Sequence, residues 1–171
     1  GERLPEGRIG EIKVRGPGVF AGYLNDPEAT AATLDGDVLS TGDLGFVSGG
    51  ELYLTGRLKE ILLVRGQNLM PHEVESIAER EIGGGRCRAA CFTVDSGADG
   101  EQVVLVAEAP TLEREALARI EEAIRRQVGN AFGLPIADLA FVKAGRLPRT
   151  TSGKVPRSRL REDYLTERVP R

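Results

Sequence analysis

Apolar and polar positions in this chain fall into two successive patterns. From 10 to 16 the residues Gly-Glu-Ile-Lys-Val-Arg-Gly alternate apolar with charged, the period of a half-buried strand. Val19-Phe20 and Tyr23-Leu24 extend that apolar surface. Asn25 or Asp26 can then cap a short alanine-rich helix over 27–34 that opens on Pro27. Ser40-Thr41-Gly42-Asp43 reads as a compact polar turn running into another alternating segment. Gly49-Gly50 makes a tight turn, and Leu52-Tyr53-Leu54 run back as a strand.

The second pattern starts after Gly56-Arg57 and the charged pair Lys59-Glu60. An apolar strand is expected over 61–64, a loop over 66–70, and a helix over 71–82 opened by Pro71. Glu73 and Glu75 lie in its first turn, at the positive end of the dipole, and Val74, Ile77 and Ala78 share one face. Gly83-Gly84-Gly85 ends the helix. It follows a helix rather than leading from a strand into one, so it is not read as a phosphate loop. Strands over 89–94 and 102–108 should pair across a polar turn at 96–100. A helix over 112–128 sets Leu117, Ile120, Ile124 and Val128 on one side, Gly133 and Pro135 stop it, and 139–143 forms the last strand. The class this predicts is α+β, a mixed sheet with flanking helices from about Leu58, preceded by a β-rich segment. The two patterns meet at 56–59 through a thin polar connection, as a hinge between domains would be written.

Composition narrows the functional classes. The 171 residues carry a net charge of −3, which argues against nucleic acid as a main partner. No apolar run is long enough to span a bilayer, and no signal peptide is visible. Cys87 and Cys91, the only cysteines, are too far apart on a strand for a disulfide and have no neighbouring histidine for a metal site. They are read as small buried apolar residues of a reducing, cytoplasmic compartment. His72, the single histidine, sits at a helix start where exposed polar residues are routine, so it is not assigned as a general base. The chain opens with Gly-Glu-Arg inside a strand-like pattern and is expected to be a piece of a larger polypeptide.

Three motifs carry chemistry. They are Thr41-Gly42-Asp43; Gly56-Arg57-Leu58-Lys59-Glu60 followed by Arg65-Gly66-Gln67-Asn68-Leu69-Met70-Pro71-His72-Glu73-Val74-Glu75; and Pro148-Arg149-Thr150-Thr151-Ser152-Gly153-Lys154-Val155-Pro156-Arg157. In this order and at these distances the chain resembles the C-terminal end of the adenylate-forming enzymes, the superfamily of acyl-CoA ligases, luciferases and peptide-synthetase adenylation domains. Within it, the motifs look most like those of fatty acyl-AMP ligases. The resemblance implies that 1–57 is the end of the large domain, part of a β-barrel subdomain, and that 58–171 is the small mobile domain.

It also implies a two-step reaction. A fatty acid and ATP, with Mg²⁺, give an acyl-adenylate and pyrophosphate, and the acyl group then passes to a pantetheine thiol on an acyl carrier protein or coenzyme A. By resemblance Lys154 is the catalytic lysine of adenylation, while Asp43 and Arg57 bind the nucleotide at the ribose or phosphate. Lys59 is the hinge, and Arg65 and Gly66 lie near the pantetheine arm. On local pattern alone Asp43 reads first as a turn residue, while Lys59 is equally a surface lysine and Gly66 a turn glycine. The family's phosphate loop, adenine-binding segment and acyl pocket are absent from these residues, so the chain alone is expected neither to adenylate nor to hold ATP or Mg²⁺ tightly. A long-chain acyl-CoA ligase and a carrier-docking module without activity of its own remain the alternatives.

Overall fold

The computed structural model describes residues 2–83, 87–97, 100–110, 113–151 and 153–169. The chain divides into two compact units, Gly1–Glu60 and Ile61–Arg171.

The first unit is built on one long strand. β3 (Val38–Ser48) is flanked by β1 (Gly10–Arg15) and β4 (Glu51–Arg57), both antiparallel to it, and the short β2 (Leu34–Asp35) pairs with its beginning. α1 (Pro27–Thr33) starts where Pro27 and its cap predict, with the Asp26 carboxylate accepting from the Ala29 N–H at 2.9 Å. Such a cap contributes about 1 kcal/mol. Residues 40–43 do not form the expected turn but lie inside β3. Thr41, Gly42 and Asp43 bulge out opposite Ile12, since Glu11 pairs with Leu44 and Lys13 with Ser40. Gly42 takes the positive φ of 70° that such a bulge needs. One strand thus carries a local kink, and the polar composition that reads as a turn is the chemistry of the kink. At Gly45 glycine is required by crowding, because a Cβ there would collide with the Tyr53 carbonyl. Leu44 is the one buried large apolar side chain among the described residues of this unit, whereas Leu24, Leu52, Tyr53 and Leu54 are exposed. β4 leads into a single 3-10 turn, Leu58–Glu60, which includes Lys59.

The second unit is a mixed α+β domain. β7 (Ala89–Asp95) and β8 (Glu101–Ala109) are antiparallel, and β9 (Ile136–Lys143) lies parallel to β8. A parallel neighbour requires a crossover, supplied here by the 19-residue α3 (Arg114–Phe132). It ends on Gly133 at φ 66°. The sheet is buried on both faces, which is why 103–107 reads as an unbroken apolar run. On one face Cys91, Val103, Leu105 and Leu139 pack with Val74, Ile77 and Ala78 of α2 (Pro71–Glu81) and with Ile124 and Val128 of α3. On the other, Ala90, Phe92, Val104, Val106 and Val142 pack under Leu147 and under Leu160 of α4 (Arg157–Leu165).

Two elements differ from the sequence reading. Residues 67–69 are not loop: β6 (Gln67–Leu69) pairs with β5 (Leu62–Val64). The two residues between them, Arg65 and Gly66, have φ of 50° and 78°, the signature of a type I′ hairpin turn. α4 was not expected, because of its residues Leu160 alone is buried and its other positions show no apolar period. The expectations at Gly84-Gly85, at the tip of the 96–100 turn, at Leu112 and at Ser152 lie outside the described residues.

Candidate functional site

In the first unit the bulge delivers Asp43. Thr41 Oγ1 donates to the Ile12 carbonyl at 2.7 Å and accepts from the Asp43 N–H at 3.0 Å, and the Gly42 N–H donates to Glu11 Oε1 at 3.1 Å. These bonds satisfy backbone groups that the bulge removes from the ladder. Cross-strand register then sets Asp43 opposite Arg57. Arg57 Nε donates to Asp43 Oδ1 at 2.8 Å, with 59% and 32% of the two side chains exposed. A pair this open to water contributes about 0–1 kcal/mol. It orders both groups on one edge and separates at little cost when a polar ligand offers better partners.

Of the other predicted residues, Lys59 lies exposed in the 3-10 turn that ends the first unit. Arg65 and Gly66 form the exposed tip of the β5–β6 hairpin. No atom lies within 4 Å of a Cβ built on Gly66, so its glycine character follows from its φ and not from crowding. His72 is exposed in the first turn of α2, its carbonyl accepting from Ser76 Oγ at 2.7 Å.

Lys154 projects from a small self-bonded turn. The Thr150 N–H donates to the Lys154 carbonyl at 2.8 Å and the Gly153 N–H to the Thr150 carbonyl at 2.8 Å, while the Lys154 N–H reaches Thr150 Oγ1 at 3.2 Å. Gly153 holds φ 79°. Lys154 is exposed, so its ammonium is available to a substrate.

Two buried glutamates fix the flanks of this turn. Glu108, fully buried at the end of β8, accepts from the Gly145 N–H at 2.8 Å, the Leu147 N–H at 3.1 Å and Arg149 Nη2 at 3.0 Å. Glu75 accepts from Arg157 Nε at 2.8 Å and Arg157 Nη2 at 2.7 Å, and from the Cys91 N–H at 2.8 Å. Its carboxylate therefore binds an arginine and a strand edge rather than only facing the α2 dipole. Burial, and then the charge of Glu75, push the Cys91 thiol well above its ordinary range, so it stays neutral and unreactive. Among the described residues no group of three or more His, Cys, Asp or Glu side chains gathers to hold a metal ion. The donors do not fit a cage for Mg²⁺.

No family model matches the chain. It is 36% identical over 182 residues to the putative fatty-acid–CoA ligase fadD21 of Mycobacterium leprae, covering 98% of this chain and 31% of that protein. It is also 36% identical over 186 residues to the long-chain-fatty-acid–AMP ligase FadD28 of Mycobacterium tuberculosis, again covering 98% and 31%. Among solved structures, ATP-bound MatB of Rhodopseudomonas palustris matches with a TM-score of 0.77 at 34% identity, over 96% of this chain and 32% of that one. The McyG A-PCP structure complexed with phenylalanyl-adenylate matches with a TM-score of 0.75 at 28% identity, over 98% and 27%. Over nearly its whole length this chain is similar to a stretch of adenylate-forming enzymes. Its relatives lie among the fatty-acid ligases, and it spans 31% of the length of the two named here.

The sequence reading missed one buried neighbour of the Lys154 turn. Glu108 passes for a polar residue near a strand end. The available signal was its position within 103–109, where every other residue is apolar and strand alternation puts residue 108 on the same face as Val104 and Val106. A carboxylate there needs donors, and the structure supplies them from 145–149.

Proposed function

We propose that this chain works as the C-terminal part of an ATP-dependent enzyme that activates a fatty acid as its acyl-adenylate and hands the acyl group to a pantetheine thiol of a carrier protein. The observation that carries this reading is the match over 98% of the chain to a long-chain-fatty-acid–AMP ligase. The exposed Lys154 on a braced turn supports it.

The first step joins two anions. A carboxylate oxygen bonds to the α-phosphorus of ATP, the bond to the bridging oxygen breaks, and pyrophosphate leaves. Lys154 places a positive charge against the oxygens on which negative charge builds, an electrostatic contribution of the kind that one well-placed donor makes in a closed site. Asp43 accepts from the ribose hydroxyls and Arg57 donates to ribose or phosphate, the exposed pair between them opening to do so. Mg²⁺ would accompany the ATP phosphates and screen their charge. Lys59 is the hinge, where a few backbone angles reorient the second unit between steps. In the second step the pantetheine sulfur attacks the acyl carbon and AMP departs, with Arg65 and Gly66 contacting the pantetheine arm. A cytoplasmic location belongs to the same reading, supported by the two free thiols.

A second reading, a long-chain acyl-CoA ligase, is favoured by the equal identity to a protein named as a fatty-acid–CoA ligase. A carrier-docking module without activity is the third. The deciding experiment supplies the complete enzyme with radiolabelled laurate and ATP, then offers carrier protein and coenzyme A together. Acyl-adenylate that passes mainly to the carrier protein is expected. Acyl-CoA as the main product replaces this reading with the second, and no adenylate at all leaves the third.

A further inference from the structure

Glu108 is the one buried charged side chain of the β7–β8–β9 sheet among the described residues, and it has no exposed surface. Removing a carboxylate from water is costly unless donors surround it. All the partners described above come from one short segment, the stretch 145–149 that leads into the Lys154 turn. Two are backbone N–H groups, at Gly145 and Leu147, and they fix the path of the main chain rather than of a side chain. The third, Arg149, is the residue just before Thr150, on which the turn closes. The Leu147 side chain is buried in the cluster with Val104, Val106 and Val142, so the segment is both bonded and packed. At the far side of the turn, three residues after Lys154, Arg157 is fastened to Glu75. The exposed lysine therefore stands on a turn whose approach is bolted to β8 and whose exit is bolted to α2.

We propose that Glu108 is a positioning residue for Lys154: its buried carboxylate sets the main-chain path of 145–149 and so aims the lysine turn. This rests on the reading of Lys154 as the adenylation lysine. Glu108 touches no substrate. It acts by keeping the turn from sampling orientations in which the ammonium misses the α-phosphate, and a misplacement of about 1 Å in a reacting geometry can slow a step about 10²-fold. A glutamine at 108 keeps the shape but presents an amide NH₂ toward at least one of three donors, so it cannot satisfy all of them.

The test uses Glu108→Gln, Lys154→Ala and the double variant in the complete enzyme, with adenylation and transfer from supplied acyl-adenylate measured separately. Tyr164→Phe serves as a control, because it removes a hydrogen bond to Asp138 in the same packed layer without touching the 145–149 path. Glu108→Gln is expected to lower kcat of adenylation roughly 10–100-fold, with KM for ATP and the transfer step little changed. In the Lys154→Ala background it should add almost nothing, because an aim is worthless without the group aimed. In the 171-residue chain Glu108→Ala removes the oxygen that both backbone N–H groups share, so amide exchange should rise at Gly145 and Leu147 while Val104 and Leu105 stay protected. If Glu108→Gln melts below the assay temperature, Arg149→Gln carries the test, with a smaller loss in the same step and the same non-additivity. Losses that multiply in the double variant, equal loss of both steps, or an equal effect from Tyr164→Phe would overturn the proposal. If Lys154→Ala adenylates normally, the adenylation-lysine reading itself fails and takes this one with it.

Discussion

Glu75 and Arg157, 82 residues apart in sequence, meet in a two-pronged ion pair that ties α2 to the end of the Lys154 turn. Only 12% of the Glu75 side chain and 25% of that of Arg157 are exposed. Glu75→Ala removes the carboxylate that the half-buried Arg157 guanidinium and the Cys91 N–H share. The expected loss of unfolding free energy is about 3–5 kcal/mol, read from urea denaturation of the chain. Replacing both partners with apolar residues should recover most of that loss. A single-variant loss below about 1 kcal/mol would mean that the pair behaves as a surface contact.

Cys91 gives a pH dependence with a definite sign. Its folded-state pKa is raised above the ordinary 9.0 by burial. Above that pH the unfolded chain releases the thiol proton and the folded chain keeps it, so the unfolded state binds fewer protons. Stability is full below about pH 9 and declines as pH rises beyond it, by about 1.4 kcal/mol per unit from this group. Cys91→Ala should flatten that decline relative to the parent chain between pH 9 and 10.5, measured by chemical denaturation at each pH. Equal slopes in the two proteins would show that the thiol ionises freely in the folded state.

The chain by itself should show no ATP–pyrophosphate exchange with any fatty acid, since the family's phosphate loop and acyl pocket are not among its residues. Exchange above buffer background by purified chain would contradict this.

Lys59 sits in a 3-10 turn, where φ typically lies at about −50 to −70°. Proline prefers about −65°, so Lys59→Pro should hold this residue near its present conformation and restrict rotation about it. In the complete enzyme, adenylation should then be affected less than thioester formation. Both rates falling together would point to misfolding or to a direct contact by the lysine.

How far the sequence reveals this arrangement depends on what each residue does. α2 and α3 are legible because a buried face repeats with helical period and Pro71 or Gly133 marks an end. α4 is not, since Leu160 and Tyr164 are its only contacts with the core and two positions make no period. β6 is hidden by its turn: Arg65 in the left-handed region is unusual, so Arg-Gly does not read as the hairpin signal that Asn-Gly would. Asp43, Arg57 and Lys154 are legible as motif members. That Asp43 faces Arg57 depends on cross-strand register, and that Lys154 stands on a braced turn depends on Glu108, whose partners are some 40 residues away. Long-range donors to a buried carboxylate leave no local pattern.

Lys154 carries the most decisive prediction. In adenylation a carboxylate approaches a polyphosphate, and the charge that gathers on their oxygens must be met at the moment of bond exchange. The lysine is exposed, on a turn closed by its own backbone bonds and held at both flanks, so it can be presented as a unit. Lys154→Ala in the complete enzyme should slow acyl-adenylate formation by about 10²–10³-fold. Transfer from ready-made acyl-adenylate to the thiol should stay near the parent rate, because that step needs no cation at the α-phosphate. Lys154→Arg should recover little, since the planar guanidinium is wider and more weakly hydrated than an ammonium on the same turn. The turn's bonds at residue 154 involve the backbone, so neither substitution should unfold the second unit, and circular dichroism checks this. Both half-reactions are measured on one preparation. Adenylation at the parent rate, or parallel loss of both steps, would remove Lys154 from this role.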